Sequence, residues 1–198
     1  KNILETKTPH SLQIDKIIDR IGQGKSKELC EKIRDCTDKA QRTELKKQLP
    51  SICFSGKFSK RANDSCLEHS GLVCLDFDHV ENLLEFKKSL SKDKYVMLAF
   101  ISPSGDGLKV VVKIPESIEN HAASCRALKD YFKKYPLDNF EDVARVCFES
   151  YDNEIFINLQ SEIFTDLIHE KILEKKVTER EINSNEIFEK LKVWIEKY

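Results

Sequence analysis

Along the first fifty residues the apolar positions recur at helical spacing. Leu12, Ile14, Ile17, Ile18 and Ile21 share one helix face, and Gly22-Gln23-Gly24 ends the segment. Two further helices are predicted around 26–36 and 41–48, closed by Pro50, and their many Lys and Glu residues suit a solvated outer face. The pattern changes at Ser51. Ile52-Cys53-Phe54 is short and β-prone, and a polar stretch, Ser55 to Arg61, follows it. Gly71 to Asp78 reads as a buried strand ending in two carboxylates, and residues 80–90 return to helical period. Tyr95–Ile101 and Leu108–Ile114 are apolar runs separated by Ser102-Pro103-Ser104-Gly105-Asp106-Gly107, so they predict antiparallel neighbours joined by a tight turn. Residues 117–134 form another amphipathic helix. Arg145–Glu149 and Glu154–Asn158 are short strands around the turn-forming Ser150-Tyr151-Asp152-Asn153.

The order from Ser51 is therefore β, β, α, β, β, α, β, β, which predicts an α+β fold of the split βαβ type with an antiparallel sheet. The expected organisation is a helical region over 1–50, a core over 51–165 and a charged, helix-prone tail over 166–198. That tail carries Ile187, Leu191, Val193 and Trp194 and reads as a linker to a further domain. No internal repeat is visible. The first residue is Lys rather than Met, as expected of a processed or excised chain.

Composition narrows the picture only slightly. The 33 basic and 34 acidic residues of the 198 nearly cancel, so overall charge does not announce a nucleic-acid partner, although a local basic face remains open. No apolar run approaches the ~20 residues of a membrane span, and no signal-peptide core lies near the start. The seven cysteines are scattered and form no CxxC pair, which argues against a disulfide framework or a zinc ribbon. Cys66, His69 and Cys74 lie close in sequence, but their spacing fits no common zinc pattern. Free thiols in a reduced, cytoplasmic setting are the expectation.

Three segments carry candidate chemistry. In Leu75-Asp76-Phe77-Asp78, strand alternation sends Asp76 and Asp78 to one face and Leu75 and Phe77 to the other. Paired carboxylates repel, and a hard divalent cation such as Mg²⁺ or Mn²⁺ resolves that repulsion. A strand end emerging into water would also tolerate them. The second segment is the turn Ser102–Gly107 with Lys109: Gly105 and Gly107 allow the backbone to offer N–H groups to an anion, Ser102 and Ser104 add hydroxyls, and Lys109 adds a point charge. It lacks Walker spacing and also suits a plain hairpin. The third is Asp142-Val143-Ala144-Arg145 followed by Ser150-Tyr151-Asp152 and Asn158. Here Asp142 would complete a carboxylate trio and Arg145 would clamp a phosphate, unless the pair is a surface salt bridge.

Taken together, these segments resemble a known family. The run from Leu49-Pro50-Ser51-Ile52 through Ser55-Gly56-Lys57-Phe58 and Arg61 into His69-Ser70-Gly71-Leu72 and Leu75-Asp76-Phe77-Asp78 looks like the VirE N-terminal-like domain. So do Ser102 to Lys109 and the segment from Asp142 through Asn158. That family, found in bacteroidetes and their mobile elements, is similar to the primase-polymerase branch of archaeo-eukaryotic primases. The resemblance spans roughly residues 25–165. It implies a primase-polymerase-like core on an RRM-like sheet, with Asp76, Asp78 and Asp142 holding two divalent cations. Ser102, Ser104, Gly105, Gly107 and Lys109 would meet a nucleoside triphosphate, with Arg145 as a further phosphate contact. One departure is plain: many primase-polymerases place a histidine where this chain has Leu108-Lys109. Lysine neutralises phosphate but lacks the directed hydrogen bond of an imidazole ring. His79, beside the acidic pair, is not at that position and reads as a loop residue.

The function this predicts is metal-dependent joining of nucleotides on a single-stranded DNA template, during replication of a mobile element or phage. A basic, aromatic-bearing groove for template is expected at Lys57, Phe58, Lys60 and Arg61. The rival readings are a catalytically inactive primase-like nucleic-acid-binding module attached to a helicase, and a metal-dependent nuclease. The nuclease reading lacks an obvious general-base Lys or His placed near Asp76 in the sequence.

Overall fold

The computed structural model describes residues 3–4, 10–135, 137–138 and 140–170. Among these residues the chain is a mixed α+β structure with five α-helices and antiparallel sheets. Three helices come first: α1 (Ile14–Gly22), α2 (Lys27–Asp35) and α3 (Lys39–Gln48). The Asp38 carboxylate accepts the Gln41 N–H at 2.7 Å and caps α3, as an N-cap aspartate should. The strands and remaining helices follow as β1 (Ser51–Ile52), β2 (Gly56–Phe58), β3 (Cys66–His69), β4 (Leu72–Phe77), α4 (Leu83–Leu90), β5 (Val96–Ile101), β6 (Leu108–Lys113), α5 (His121–Tyr131), β7 (Cys147–Phe148) and β8 (Phe156–Ile157).

The main sheet runs β4-β6-β5-β8, and every ladder in it is antiparallel. Strand β6 inserts between β4 and β5, the arrangement expected when a helix separates two strands and a tight turn joins the next. The last strand lies at the β5 edge. In the ferredoxin-like order it would lie beside β4. Two small antiparallel pairs, β1-β7 and β2-β3, complete the strand set among the described residues.

Alternation divides the main sheet into two differently covered faces. Val73, Leu75 and Phe77 of β4, with Val96, Ala99, Leu108, Val110 and Val112, pack against Leu90 of α4 and Cys125, Leu128 and Phe132 around α5. Phe77 meets Phe86, Phe132 and Tyr135 edge-on, with ring centroids 5.2–6.0 Å apart. The opposite face presents Leu98, Phe100 and Val111 to Ile17 and Ile21 of α1, and to Phe54 and Cys147. A register shift between Val96 and Leu98 puts Met97 and Leu98 on this same side, which is how β5 feeds both cores. A third small cluster, Cys30, Ile33 and Leu49, anchors α2 and α3 against Phe148 and Tyr151.

The expected elements are present with shifted ends, except for one pair. The polar stretch after Phe54 holds a strand, β2, paired to β3. Its outward partners Lys57 and Glu68 form an exposed ion pair, so no apolar alternation announced it. The short strands β7 and β8 do not pair with each other across 150–153: β7 joins β1, and β8 joins β5. The predicted tail lies, from 171 onward, outside the described residues, and with it Ile187, Leu191, Val193 and Trp194. Among the described residues no helix is long and apolar enough to cross a membrane.

Candidate metal and phosphate site

The site forms where β4 runs out. Leu75 and Phe77 are fully buried in the α4–α5 core, so alternation sends Asp76 to the opposite face. Across the ladder, Lys109 of β6 is the register partner of Asp76, and its amine contacts Asp76 Oδ2. Both side chains are largely buried, at 11% exposure for Lys109 and 15% for Asp76. Burial works against the Lys109 charge, but the neighbouring Cys147 thiol and Asp76 carboxylate outweigh it and hold the pKa above the ordinary lysine value. Arg145 adds a second cation, with Nη2 3.8 Å from Asp76 Oδ2 and 3.3 Å from Asp138 Oδ2.

Asp76, Asp78 and Asp138 bring carboxylate oxygens within 4.8 Å of one another. Burial, followed by the charge of Asp76, raises the Asp78 pKa above the usual carboxylate value. Asp76 Oδ1 is buried and has no hydrogen-bond partner among the described residues. A buried, unpaired carboxylate oxygen beside two more carboxylates is costly unless a cation completes it. Three oxygen donors of this kind fit Mg²⁺ or Mn²⁺, hard ions that bind through carboxylates and keep places for water and phosphate.

Asp142, expected in the trio, does not lie in this cluster. Its Oδ1 accepts the Asn63 side-chain N–H at 3.0 Å, and Asn63 in turn accepts the Ala144 N–H at 3.0 Å. Asp142 still lines a cavity of about 20 Å³ shared with Phe54, Asp76, Lys109, His121 and Arg145. That volume admits a water or a bare ion and nothing larger. Asp138 and Asp78 stand outside it, and the Asp138 side chain is 57% exposed, so theirs is the open side of the cluster. Sequence reasoning missed Asp138. It belongs to an irregular segment held by Leu137 and Phe140, which pack into the α4–α5 core, and its N–H reaches Asp76 O at 3.5 Å.

The Ser102–Gly107 turn lies against the end of β4. A Cβ at Gly107 would stand 2.6 Å from Phe77 O, so only glycine allows this approach. Gly105 has φ +80° and carries the aliphatic stem of Arg34 beneath it. The turn's own groups are partly spent: Ser102 N–H donates to Gly107 O at 2.8 Å, and Gly105 N–H to Ser102 O at 3.0 Å. Ser104 hydrogen-bonds Asp106. Burial would raise the Asp106 pKa, but this bond and nearby His79 leave it below the ordinary value. Asp106 also ties the turn to the residues after Asp78, through His79 Nδ1 at 3.2 Å and the Val80 N–H at 2.9 Å.

Arg34, which sequence reasoning did not single out, reaches from α2 to donate to Tyr151 O at 2.8 Å and Ser102 O at 3.3 Å. The predicted template residues are not part of the cluster. Lys57 pairs with Glu68 at 2.6 Å, Phe58 is buried and offers no face for a base to stack on, and Lys60 and Arg61 lie exposed in the loop that Asn63 docks beside Asp142.

Behind the cavity is a buried histidine pair. Gly71 N–H donates to His69 Nδ1 at 3.1 Å, which makes His69 Nε2–H the donor to His121 Nδ1 at 3.0 Å. His121 Nε2 lies 3.6 Å from Cys125 Sγ. Burial, then the neighbouring His69, lowers His121 to about 4, so both rings are neutral near pH 7.

A family model described as BT4734-like, N-terminal domain matches residues 44–156, more than half of the chain. No curated protein and no solved structure matches it.

Proposed function

Because the chain belongs to the BT4734-like N-terminal domain family, and the matched segment contains the whole carboxylate cluster with Lys109 and Arg145, we propose that it is a metal-dependent nucleotidyltransferase of the primase-polymerase kind. The observation that carries this reading is Asp76: one oxygen is held by Lys109, while the other is buried and unpaired beside Asp78 and Asp138. Carboxylates and cations thus alternate within a few ångströms, as a site for metal-bound phosphates requires.

When bound, a divalent cation would supply Lewis acidity to a 3′-hydroxyl and charge neutralisation to departing pyrophosphate. The chain's own residues do the rest. Asp76, Asp78 and Asp138 hold the metal, while Lys109 and the planar fork of Arg145 take phosphate oxygens. Gly107 and Gly105 keep the turn close to the β4 end, and Arg34 holds it from below. The kinship with VirE N-terminal-like domains and the RRM-like comparison belong to this proposal. Their support is the split βαβ unit with β6 inserted between β4 and β5. The proposed partners are nucleoside triphosphates, a single-stranded DNA template bound along the Lys57–Arg61 face, and a helicase domain in the same polypeptide or in trans. Replication of a mobile element or phage in the cytoplasm is the proposed setting.

A second reading, an inactive nucleic-acid-binding module, is favoured by one observation: Lys109 already neutralises Asp76. The discriminating experiment is nucleotide incorporation on a single-stranded template with Mn²⁺ or Mg²⁺, with and without primer, comparing wild type with Asp76→Ala/Asp78→Ala. Incorporation that disappears in the double variant is the expected result. Folded wild-type protein that neither incorporates nor binds nucleoside triphosphate with metal would leave the binding-module reading.

A further inference from the structure

Lys109 occupies one of the two Asp76 oxygens that a chelated metal would use, Oδ2, and leaves only Oδ1 open. It faces Asp76 across the β4–β6 ladder and contacts Oδ2, and Arg145 spans Asp76 and Asp138. A bare divalent cation entering the cluster meets two fixed positive groups. To gain both Asp76 oxygens it must displace a lysine that is 11% exposed, leaving that ammonium without its partner, and an unpaired buried charge is strongly unfavourable. A bare polyphosphate fares no better, because its oxygens approach past Asp78 and Asp138. The two ligands relieve each other. Phosphate oxygens accept Lys109 and Arg145 as the carboxylates turn to the cation, so no charge is stranded.

Resting on the nucleotidyltransferase reading, the geometry points to a site that takes a divalent cation and a polyphosphate as one chelate and binds the bare cation weakly. Lys109 is the group exchanged between Asp76 and phosphate. The cavity behind it, about 20 Å³, offers the cation no alternative place together with a polyphosphate. In this scheme Lys109 is a substrate-binding residue with a second task, which is to keep the carboxylate cluster from capturing metal alone.

The test is calorimetric titration of the folded chain with Mn²⁺ alone, tripolyphosphate alone, preformed Mn²⁺–tripolyphosphate, and Mn²⁺ with an α,β-methylene nucleoside triphosphate. Wild type should bind either chelate at least about ten-fold more tightly than bare Mn²⁺, within the usual range of coupling between sites. Lys109→Met should bind bare Mn²⁺ more tightly than wild type and lose that difference, an effect that lost stability alone would not produce. Lys109→Gln serves if the methionine variant fails to give a cooperative unfolding transition. A preference for the nucleotide chelate over the tripolyphosphate chelate would show that the base adds contacts and would support the inference in its nucleotide form. Bare Mn²⁺ bound by wild type as tightly as the chelates would overturn the inference and leave the nucleotidyltransferase reading standing. A difference unchanged in the lysine variants would do the same. No binding of Mn²⁺ in any form would overturn both.

Discussion

Two buried lysine–aspartate pairs lie on opposite sides of β5, and they are not alike. Lys87 and Asp152 are 9% and 3% exposed and complete. The amine donates to Asp152 Oδ2 and to Glu154 O, each at 2.6 Å, while the Ile101 and Glu154 N–H groups take the remaining carboxylate positions at 2.9 and 3.0 Å. Lys109 and Asp76 are incomplete: one carboxylate oxygen has no partner, and two further carboxylates crowd the same space. The first pair fastens α4 to β5 and the segment before β8. The second has lone pairs and charge left over. Burial alone does not single out a candidate site; an unbalanced set of partners does.

The comparison is broken most forcefully at the complete pair. Asp152→Asn leaves Lys87 buried beside a neutral amide and should cost about 3–5 kcal/mol in urea unfolding. Asp76→Asn should cost only about 1–2 kcal/mol, because the repulsion it relieves with Asp78 and Asp138 offsets the loss of Lys109's partner. Equal losses at the two positions would erase the distinction between them.

Next in size is the contrast between the two loop acids. Asp138→Asn should lower metal-dependent incorporation by about 10²–10³-fold, the several kcal/mol that a metal ligand controls. Asp142→Asn should lower it less than about ten-fold, through the Asn63 contact alone. The reverse order would restore Asp142 as the third ligand.

The histidine pair sharpens the comparison by pH. Burial lowers His121 from 6.5 to about 4, so between those values the unfolded chain binds the extra proton. Stability therefore falls as pH drops through that window, by about 3 kcal/mol. His121→Gln should flatten the profile there, which unfolding at stepped pH would measure. The smallest effect belongs to an exposed pair: Lys57→Met, opposite Glu68, should change stability by less than about 1 kcal/mol. Template affinity is the property to follow in that variant.

What the sequence made legible follows from periodicity. The Ile14–Ile21 spacing predicts α1, and the apolar runs on either side of Ser102–Gly107 predict the β5–β6 pair with its turn. The alternation through Leu75 and Phe77 predicts which way Asp76 points. The β2–β3 pair escaped because its outward positions are charged and its strands are short. Asp138 escaped for a different reason: irregular chain has no period, and only the burial of Leu137 and Phe140 brings it back to β4. Arg34 belongs to a helix that reads as solvated, yet its guanidinium crosses to the turn, a contact set by how α2 packs and not by local spacing. His69 and His121 lie 52 positions apart and meet only in the folded chain.

The most direct measurement is anomalous X-ray scattering at the manganese edge from crystals grown with Mn²⁺ and an α,β-methylene nucleoside triphosphate. The account predicts manganese bound by Asp76, Asp78 and Asp138, with Lys109 and Arg145 turned to the phosphates. Manganese held elsewhere, or nucleotide bound with the Lys109–Asp76 contact intact and no metal between the carboxylates, would contradict it.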